Sequence, residues 1–298
     1  AFMMAVKGIA SEIVIIDINE KKALGEAMDI RQGTPFCQPC KIYAGRYSDA
    51  AGSDIVVITS GIGRKPGQTR LDLTQTNVNI IKSIIPEITR YAPDAIYVIV
   101  SNPVDILTYA FCKLSDIPEA HIIGSGTILD TARLRSRLSE YYQINQQNVH
   151  AYVLGEHGDS SFIPWSIANL SNIPVLEYKS SVSHPTKVYP ALDTKEVENY
   201  VKKSGARVIA RKGATFYAVS VSVCHICKCL LSGVDTALTV STMMHGEYGL
   251  DDVALSLLCN VGKDGIHSKL MLPLSDEETA ALRKSADALK EIIRQTEF

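Results

Sequence analysis

An α/β architecture, with a doubly wound parallel sheet followed by a mixed α+β domain, is predicted by three features of this 298-residue sequence. Val/Ile-rich runs alternate with helical stretches through residue 124, which is the strand-helix-strand repetition of a parallel sheet. The runs are nearly continuous rather than alternating, as expected of strands covered on both faces. From about Ser125 the alternation gives way to mixed segments, which places a domain boundary near Gly124. The length agrees with two units at about 150 residues per domain. Residues 1–124 are the first predicted domain and 125–298 the second.

The first element is an apolar helical stretch, Ala1 to Lys7, ending at Gly8, a residue suited to a helix C-cap. A strand from Glu12 to Ile18 follows, with Asp17 as its last carboxylate. In a dinucleotide-binding unit a strand and a Gly-x-Gly-x-x-Gly turn precede such a helix, and an acidic residue lies about 20 positions after the turn. Asp17 fits the acidic position; read blandly, it is a solvated strand-end carboxylate. No such strand or turn precedes it, so the sequence is expected to lack roughly the first 20 to 30 residues of the unit. Helices are predicted at Glu20–Gln32, Leu71–Tyr91 and Val104–Leu114, where apolar residues recur at three- and four-residue steps. The intervening strands are Asp54–Ser60, Ile96–Ser101 and His121–Gly124. A helix from Thr127 to Tyr142, an extended stretch from Val149 to Leu154 and a Gly/His/Asp loop come next. A long amphipathic helix closes the chain from Ser275, which has capping-box spacing to Glu278.

Composition narrows the function classes. Hydrophobic residues make up 46% and charged residues 21%, enough apolar surface to exclude a disordered chain. Thirty basic against thirty-two acidic residues leave a formal charge of −2, with no strong pull on nucleic acid or anionic membrane. No apolar run reaches the roughly 18 residues of a bilayer-spanning helix, and the N-terminus lacks signal-peptide features. Seven cysteines, an odd number, favour a reduced, cytoplasmic setting. Cys37/Cys40 and Cys224/Cys227, with Cys229, have Cys-x-x-Cys spacing. Without a compact four-ligand cluster they read as loop residues and apolar helix fillers, and no metal site is expected.

The segment Gly155-Glu156-His157-Gly158-Asp159-Ser160 carries the strongest chemical signal. Flanking glycines permit tight turns, and an imidazole can give and take a proton near neutrality. Asp130 and Arg133 lie three apart on one helix face. They form either a weak intrahelical ion pair or a working set, in which Asp130 orients the imidazole and Arg133 grips a carboxylate bidentately. Gly61 to Arg70 (GIGRKPGQTR) reads as a cationic flap over an anionic substrate or as a solvated turn. Asn102-Pro103 follows a strand at the carboxyl edge of the sheet, where α/β folds bind ligands.

Together VVITSGIGRKPGQTRLDL, VSNPVDILTY, IGSGTILDTARLRSRL and VLGEHGDSSFIPWS resemble the NAD-dependent L-2-hydroxyacid dehydrogenases, the lactate and malate dehydrogenase family, across essentially the whole chain. The resemblance implies a Rossmann-type sheet, NAD as cofactor and a small 2-oxo or 2-hydroxy acid as substrate. It implies His157 as proton donor and acceptor with Asp130 as its partner, Arg133 as the carboxylate ligand, and Arg70 as the group polarising the carbonyl. Asp17 would hold the adenosine ribose; Gly61, Val100, Asn102 and Ser125 would line the nicotinamide side, with Asn102 also touching substrate.

The choice of acid rests on conflicting signals. Arg64 stands at the loop position that, in this family, reads the substrate side chain, and Arg there suits the second carboxylate of oxaloacetate. Glu156 in GEHGDS and Thr215 in GATFY resemble the pyruvate-specific members. Arg135 and His150 match the pair that binds an activator, fructose 1,6-bisphosphate, in many bacterial ones. The expectation is therefore pyruvate/L-lactate, with oxaloacetate as the alternative and a homotetramer as the implied assembly. A non-catalytic nucleotide-binding chain is the reading of another class.

Overall fold

The computed structural model describes residues 1–63, 67, 69–183, 189 and 191–298, and for Arg70 the backbone only. The short helix α1 (Phe2–Val6) leads into β1 (Glu12–Ile15), which pairs in parallel with β2 (Lys41–Ala44) across helix α2 (Glu20–Gly33). Asn19 caps α2 by accepting the Lys22 amide, and Ala5, Ala27 and Ile42 form a small core beneath it. The predicted strand Glu12–Ile18 is shorter than expected. Its partner ends at Ala44, the Gly45 amide makes the last bond to Ile15, and Ile18 beyond is fully exposed.

The central parallel strands β3 (Ile55–Ile58), β4 (Ile96–Ile99) and β5 (Ile122–Gly124) alternate with α3 (Arg70–Tyr91) and α4 (Val104–Leu114). All four residues of β4 are buried, which explains their apolar character on both faces. A capping box between Thr69 and Asp72 starts α3. Strands β1 and β2 form a separate two-stranded sheet, and β3 is not hydrogen-bonded to β1.

The second half begins with α5 (Ile128–Tyr142) and a small sheet of β6 (Val149–His150), β7 (Asn169–Leu170) and β8 (Ile173–Pro174). The predicted stretch Val149–Leu154 is laddered only at its first two residues; Leu154 instead makes an isolated bridge to Phe162. Helices α6 (Tyr178–Ser181), α7 (Thr194–Lys212) and α8 (Tyr217–Leu230) follow. Cys224, Cys227 and Cys229 are buried on α8, whereas Cys37 and Cys40 are half-buried in the approach to β2. The antiparallel strands β9 (Thr236–His245), β10 (Asp251–Gly262) and β11 (Gly265–Lys269) join the parallel strands in one six-stranded sheet, ordered β11-β10-β9-β5-β4-β3. Helix α9 (Asp276–Arg294) has the expected Ser275/Glu278 capping box and buries Leu282, Ala286 and Leu289.

The junction of the two halves is Gly124 on β5, opposite Ser241 on β9. A Cβ at Gly124 would lie 2.3 Å from Thr108 Oγ1 and 2.7 Å from the Ser241 Cβ, so only glycine lets the two strands and α4 meet. This junction brings α4, β9, β10 and α9 under the loop that carries His157. Among the described residues no helix is long and apolar enough to cross a membrane.

Candidate active site

The site assembles around one buried carboxylate. Asp130, in the first turn of α5, uses its two oxygens on different partners. Oδ1 accepts Arg133 Nη1 at 2.7 Å, and Oδ2 contacts His157 Nδ1 at 2.6 Å. The intrahelical ion pair of Asp130 and Arg133 is present, and the same carboxylate orients the imidazole. An ionised carboxylate only accepts, so Nδ1 carries the hydrogen and Nε2 is left as the working nitrogen.

The His157 loop is pinned from three sides. From α4, Asp105 Oδ2 accepts the His157 backbone N–H at 2.7 Å. From β10, Ser256 exchanges backbone hydrogen bonds with Gly155. From α9, Ser285 Oγ accepts the Glu156 amide at 2.7 Å. Gly155 has φ +87°, and a Cβ there would fall 2.6 Å from Ser285 Oγ, so this turn requires glycine. Glu156 is buried and receives the Ser160 hydroxyl.

The electrostatics favour a charged imidazole. Burial works against the cation, but the charge and hydrogen bond of Asp130, helped by Asp105, outweigh it and lift His157 above its ordinary value. Burial likewise disfavours the Asp130 anion, yet His157 and Arg133 hold it below the usual carboxylate range. Asp105 goes the other way: burial pushes it up to about 6, against hydrogen bonds from Ser241 and the His157 amide.

The expected cofactor residues sit where a doubly wound sheet binds ligands. Asp17 lies just past β1, Gly61 past β3, Val100 and Asn102 past β4, and Ser125 past β5. Asn77 of α3 ties two of these ends together. Its amide nitrogen donates to the carbonyls of Asn102 (2.7 Å) and Ile62 (3.2 Å), and its oxygen accepts the Ile62 amide (2.9 Å). A Cβ on Gly61 would come 3.3 Å from Asn77 Oδ1, so the bare backbone leaves room at this strand end. Asp17 is exposed, with Oδ1 accepting the Asn19 amide. An acid at the first strand end and small or polar groups at the others fit a dinucleotide laid along the edge.

Arg64 lies outside the described residues, as does the side chain of Arg70, although α3 starts at that position. Thr215 is half-buried in the loop between α7 and α8. The Arg133 guanidinium lies against α7, where a Cβ on Gly205 would be 3.5 Å from Nη2. Arg135 points its Nε to the Ala151 carbonyl (3.2 Å) and packs over the Tyr152 ring, beside the exposed His150 of β6. Sequence reasoning missed Asp105, Ser241, Asn77, Ser256 and Ser285. Asp105 was visible in NPVDILTY, but an acid in the first helical turn reads as a dipole partner rather than as a support for a distant loop.

Both halves of the chain are similar to known proteins. Residues 1–124 match the family model "lactate/malate dehydrogenase, NAD binding domain", and residues 127–298 match "lactate/malate dehydrogenase, alpha/beta C-terminal domain". The chain is 46% identical over 298 residues to an L-lactate dehydrogenase of Thermoanaerobacterium saccharolyticum, covering 100% of this chain and 95% of the relative. It is also 46% identical over 294 residues to one of Acetivibrio thermocellus, covering 99% and 92%. Among solved structures, a lactate dehydrogenase from a Medee basin deep-sea metagenome library superposes with a TM-score of 0.93 at 36% identity, covering 99% of this chain and 93% of that one. An L-lactate dehydrogenase from Clostridium thermocellum gives 0.88 at 39% identity, covering 100% and 94%. Matched in both halves, the chain belongs to the lactate/malate dehydrogenase family and is an NAD-dependent oxidoreductase.

Proposed function

We propose that this chain interconverts pyruvate and L-lactate, with residues 1–124 holding NAD and residues 125–298 supplying the proton and the substrate carboxylate site. The observation that carries it is Asp130, shared between His157 and Arg133. NADH, when bound, supplies the hydride to the carbonyl carbon. His157 Nε2 gives its proton to the carbonyl oxygen as charge develops there, and Asp130 stabilises the imidazolium before transfer. Arg133 pairs with the substrate carboxylate, and Arg70, at the start of α3, places a second cation beside the carbonyl. Asn102 and Thr215 complete the substrate pocket. Asp17 receives the ribose hydroxyls, while Gly61, Val100, Asn102 and Ser125 bound the nicotinamide side.

The relatives named above are L-lactate dehydrogenases, and Glu156 and Thr215 support the same choice. Arg64 favours oxaloacetate as a second reading, because a guanidinium closing over a methyl group is left without a partner. Steady-state reduction of pyruvate and of oxaloacetate decides between them. The pyruvate reading requires the larger kcat/KM for pyruvate; a much larger value for oxaloacetate overturns it.

The assembly and its control belong to the same reading. Exposed Leu24 and Met28 on α2, Val208 and Ile209 on α7, and Val221 on α8 offer apolar area for a homotetramer. Arg135 and His150, contributed by two subunits, would present cations to fructose 1,6-bisphosphate. Free thiols at all seven cysteines suit a cytoplasmic setting.

A further inference from the structure

We infer that Asp105 is a positioning residue of the proton relay: its buried carboxylate, clamped between the Ser241 hydroxyl and the His157 backbone N–H, holds the catalytic loop from beneath and adds a second fixed negative charge to the imidazolium. This deepens the proposed function, and it rests on His157 being the proton donor.

The geometry is specific. Asp105 Oδ1 accepts Ser241 Oγ at 2.6 Å, and Oδ2 accepts the His157 amide at 2.7 Å. The side chain is 2% exposed. Its partners among the described residues are a hydroxyl and an amide, both neutral. An asparagine could serve the same two bonds, with its oxygen on the amide and its NH2 on Ser241, without the desolvation that a buried anion carries. A carboxylate at this position therefore calls for a role that needs charge.

That role lies next to it. Among the described residues, four charged groups bear on the imidazole and its support. Asp130 and Arg133 reach the ring from α5, and Asp105 reaches it from α4. Glu156, adjacent in the loop, acts on Asp105 and is itself bonded to Ser160. Arg133 opposes the cation, so the two aspartates from different helices work together against it. Asp105 also lies in the first turn of α4, three residues after Asn102, where the N-terminal helix dipole favours an anion. One short helical turn thus links the nicotinamide-side turn to the backbone of the proton donor. With burial raising Asp105 only to about 6, the carboxylate is charged at neutral and alkaline pH.

The test compares wild type, Asp105→Asn and Ser241→Ala, each as the NADH-binding enzyme. The imidazole titration is read by NMR of ring-labelled histidine, with the His157 signal assigned by its loss in His157→Gln. Pyruvate reduction is followed between pH 5 and 9, and NADH affinity by fluorescence. For Asp105→Asn, the His157 titration and the alkaline limb of reductive kcat/KM are expected to move together to lower pH by roughly half a unit or more, with NADH affinity within about twofold of wild type. Ser241→Ala removes the donor that keeps Asp105 ionised, so it shifts both in the same direction by less. If neither variant moves the ring titration, Asp105 is only structural and the inference is overturned, whatever the turnover. A wild type inactive on pyruvate would overturn the substrate reading, while the ring titration still decides the role of Asp105. If Asp105→Asn does not fold, Ser241→Ala decides alone.

Discussion

At the scale of the residue, a histidine is made useful by which groups surround it. Replacing Asp130 by Asn keeps the shape but removes the charge that lifts His157, and the amide can present its NH2 group to the imidazole. Reductive kcat/KM is expected to fall by about 10² or more. Its alkaline limb should move to lower pH, because the imidazolium then loses its proton earlier; stopped-flow NADH oxidation across pH reads both. The two aspartates have opposite effects on stability. Asp130 is held below the usual range, so its contribution is present above the unfolded value of about 3.9 and is lost as acid protonates it. Asp105 is raised to about 6, so the folded chain takes up its proton first, and this group by itself stabilises the fold as pH falls from 6 toward 4. Kept ionised at pH 8, it costs about 3 kcal/mol, from a displacement of about 2 pH units at 1.36 kcal/mol each. Asp105→Asn is therefore expected to melt no lower than wild type at pH 8 by differential scanning calorimetry, even as the relay weakens. A clear drop in Tm would contradict this sign.

At the scale of the element, the helices that the sequence predicted were legible because each has a local signature, whereas α6 and α7 were not predicted. Val104–Leu114 agrees at both ends with its 3.6-residue periodicity, and α9 starts where the Ser275/Glu278 box places it. The strands were legible as apolar runs but too long at their ends, because a ladder stops where the partner stops, as Ala44 stops β1. β9 and β10 did not stand out as strands. They are buried along most of their length, so they show no alternation, and buried Thr and Ser interrupt their apolar residues, so neither a strand nor a helix period stands out. Their attachment through Gly124 depends on contacts with Thr108 and Ser241, residues 16 before and 117 after it. Gly124→Ala is expected to lose about 1–3 kcal/mol by overpacking. Urea unfolding should show a lower midpoint, and an unchanged midpoint would mean that β5 and β9 can separate without penalty.

At the scale of the whole molecule, the exposed apolar residues on α2, α7 and α8 are the surface from which the proposed homotetramer is argued. Sedimentation velocity is expected to give a species near four times 32.5 kDa, whereas a monomer at micromolar concentration would remove the tetramer from the proposed function. Two subunits' copies of Arg135 and His150 would then make a cationic site for a bisphosphate. Fructose 1,6-bisphosphate is then expected to raise the rate of pyruvate reduction at sub-saturating pyruvate. An enzyme indifferent to the bisphosphate at every pH would leave Arg135 to its packing on Tyr152.

The residues of the proposed proton relay could be named from the sequence because the family resemblance is carried by short motifs: His157 lies between glycines, and Asp130 and Arg133 one helical turn apart. The elements of residues 1–124 were readable because periodicity is local, and NAD binding was implied by the family resemblance. Only the tertiary structure decided what holds His157. Asp105, Ser256 and Ser285 come from three elements that lie 52, 99 and 128 residues from it in the chain, and they reach one loop because β9 pairs with β5 and β10 with β9. Local propensity carries no information about such partners; closing the sheet across Gly124 does.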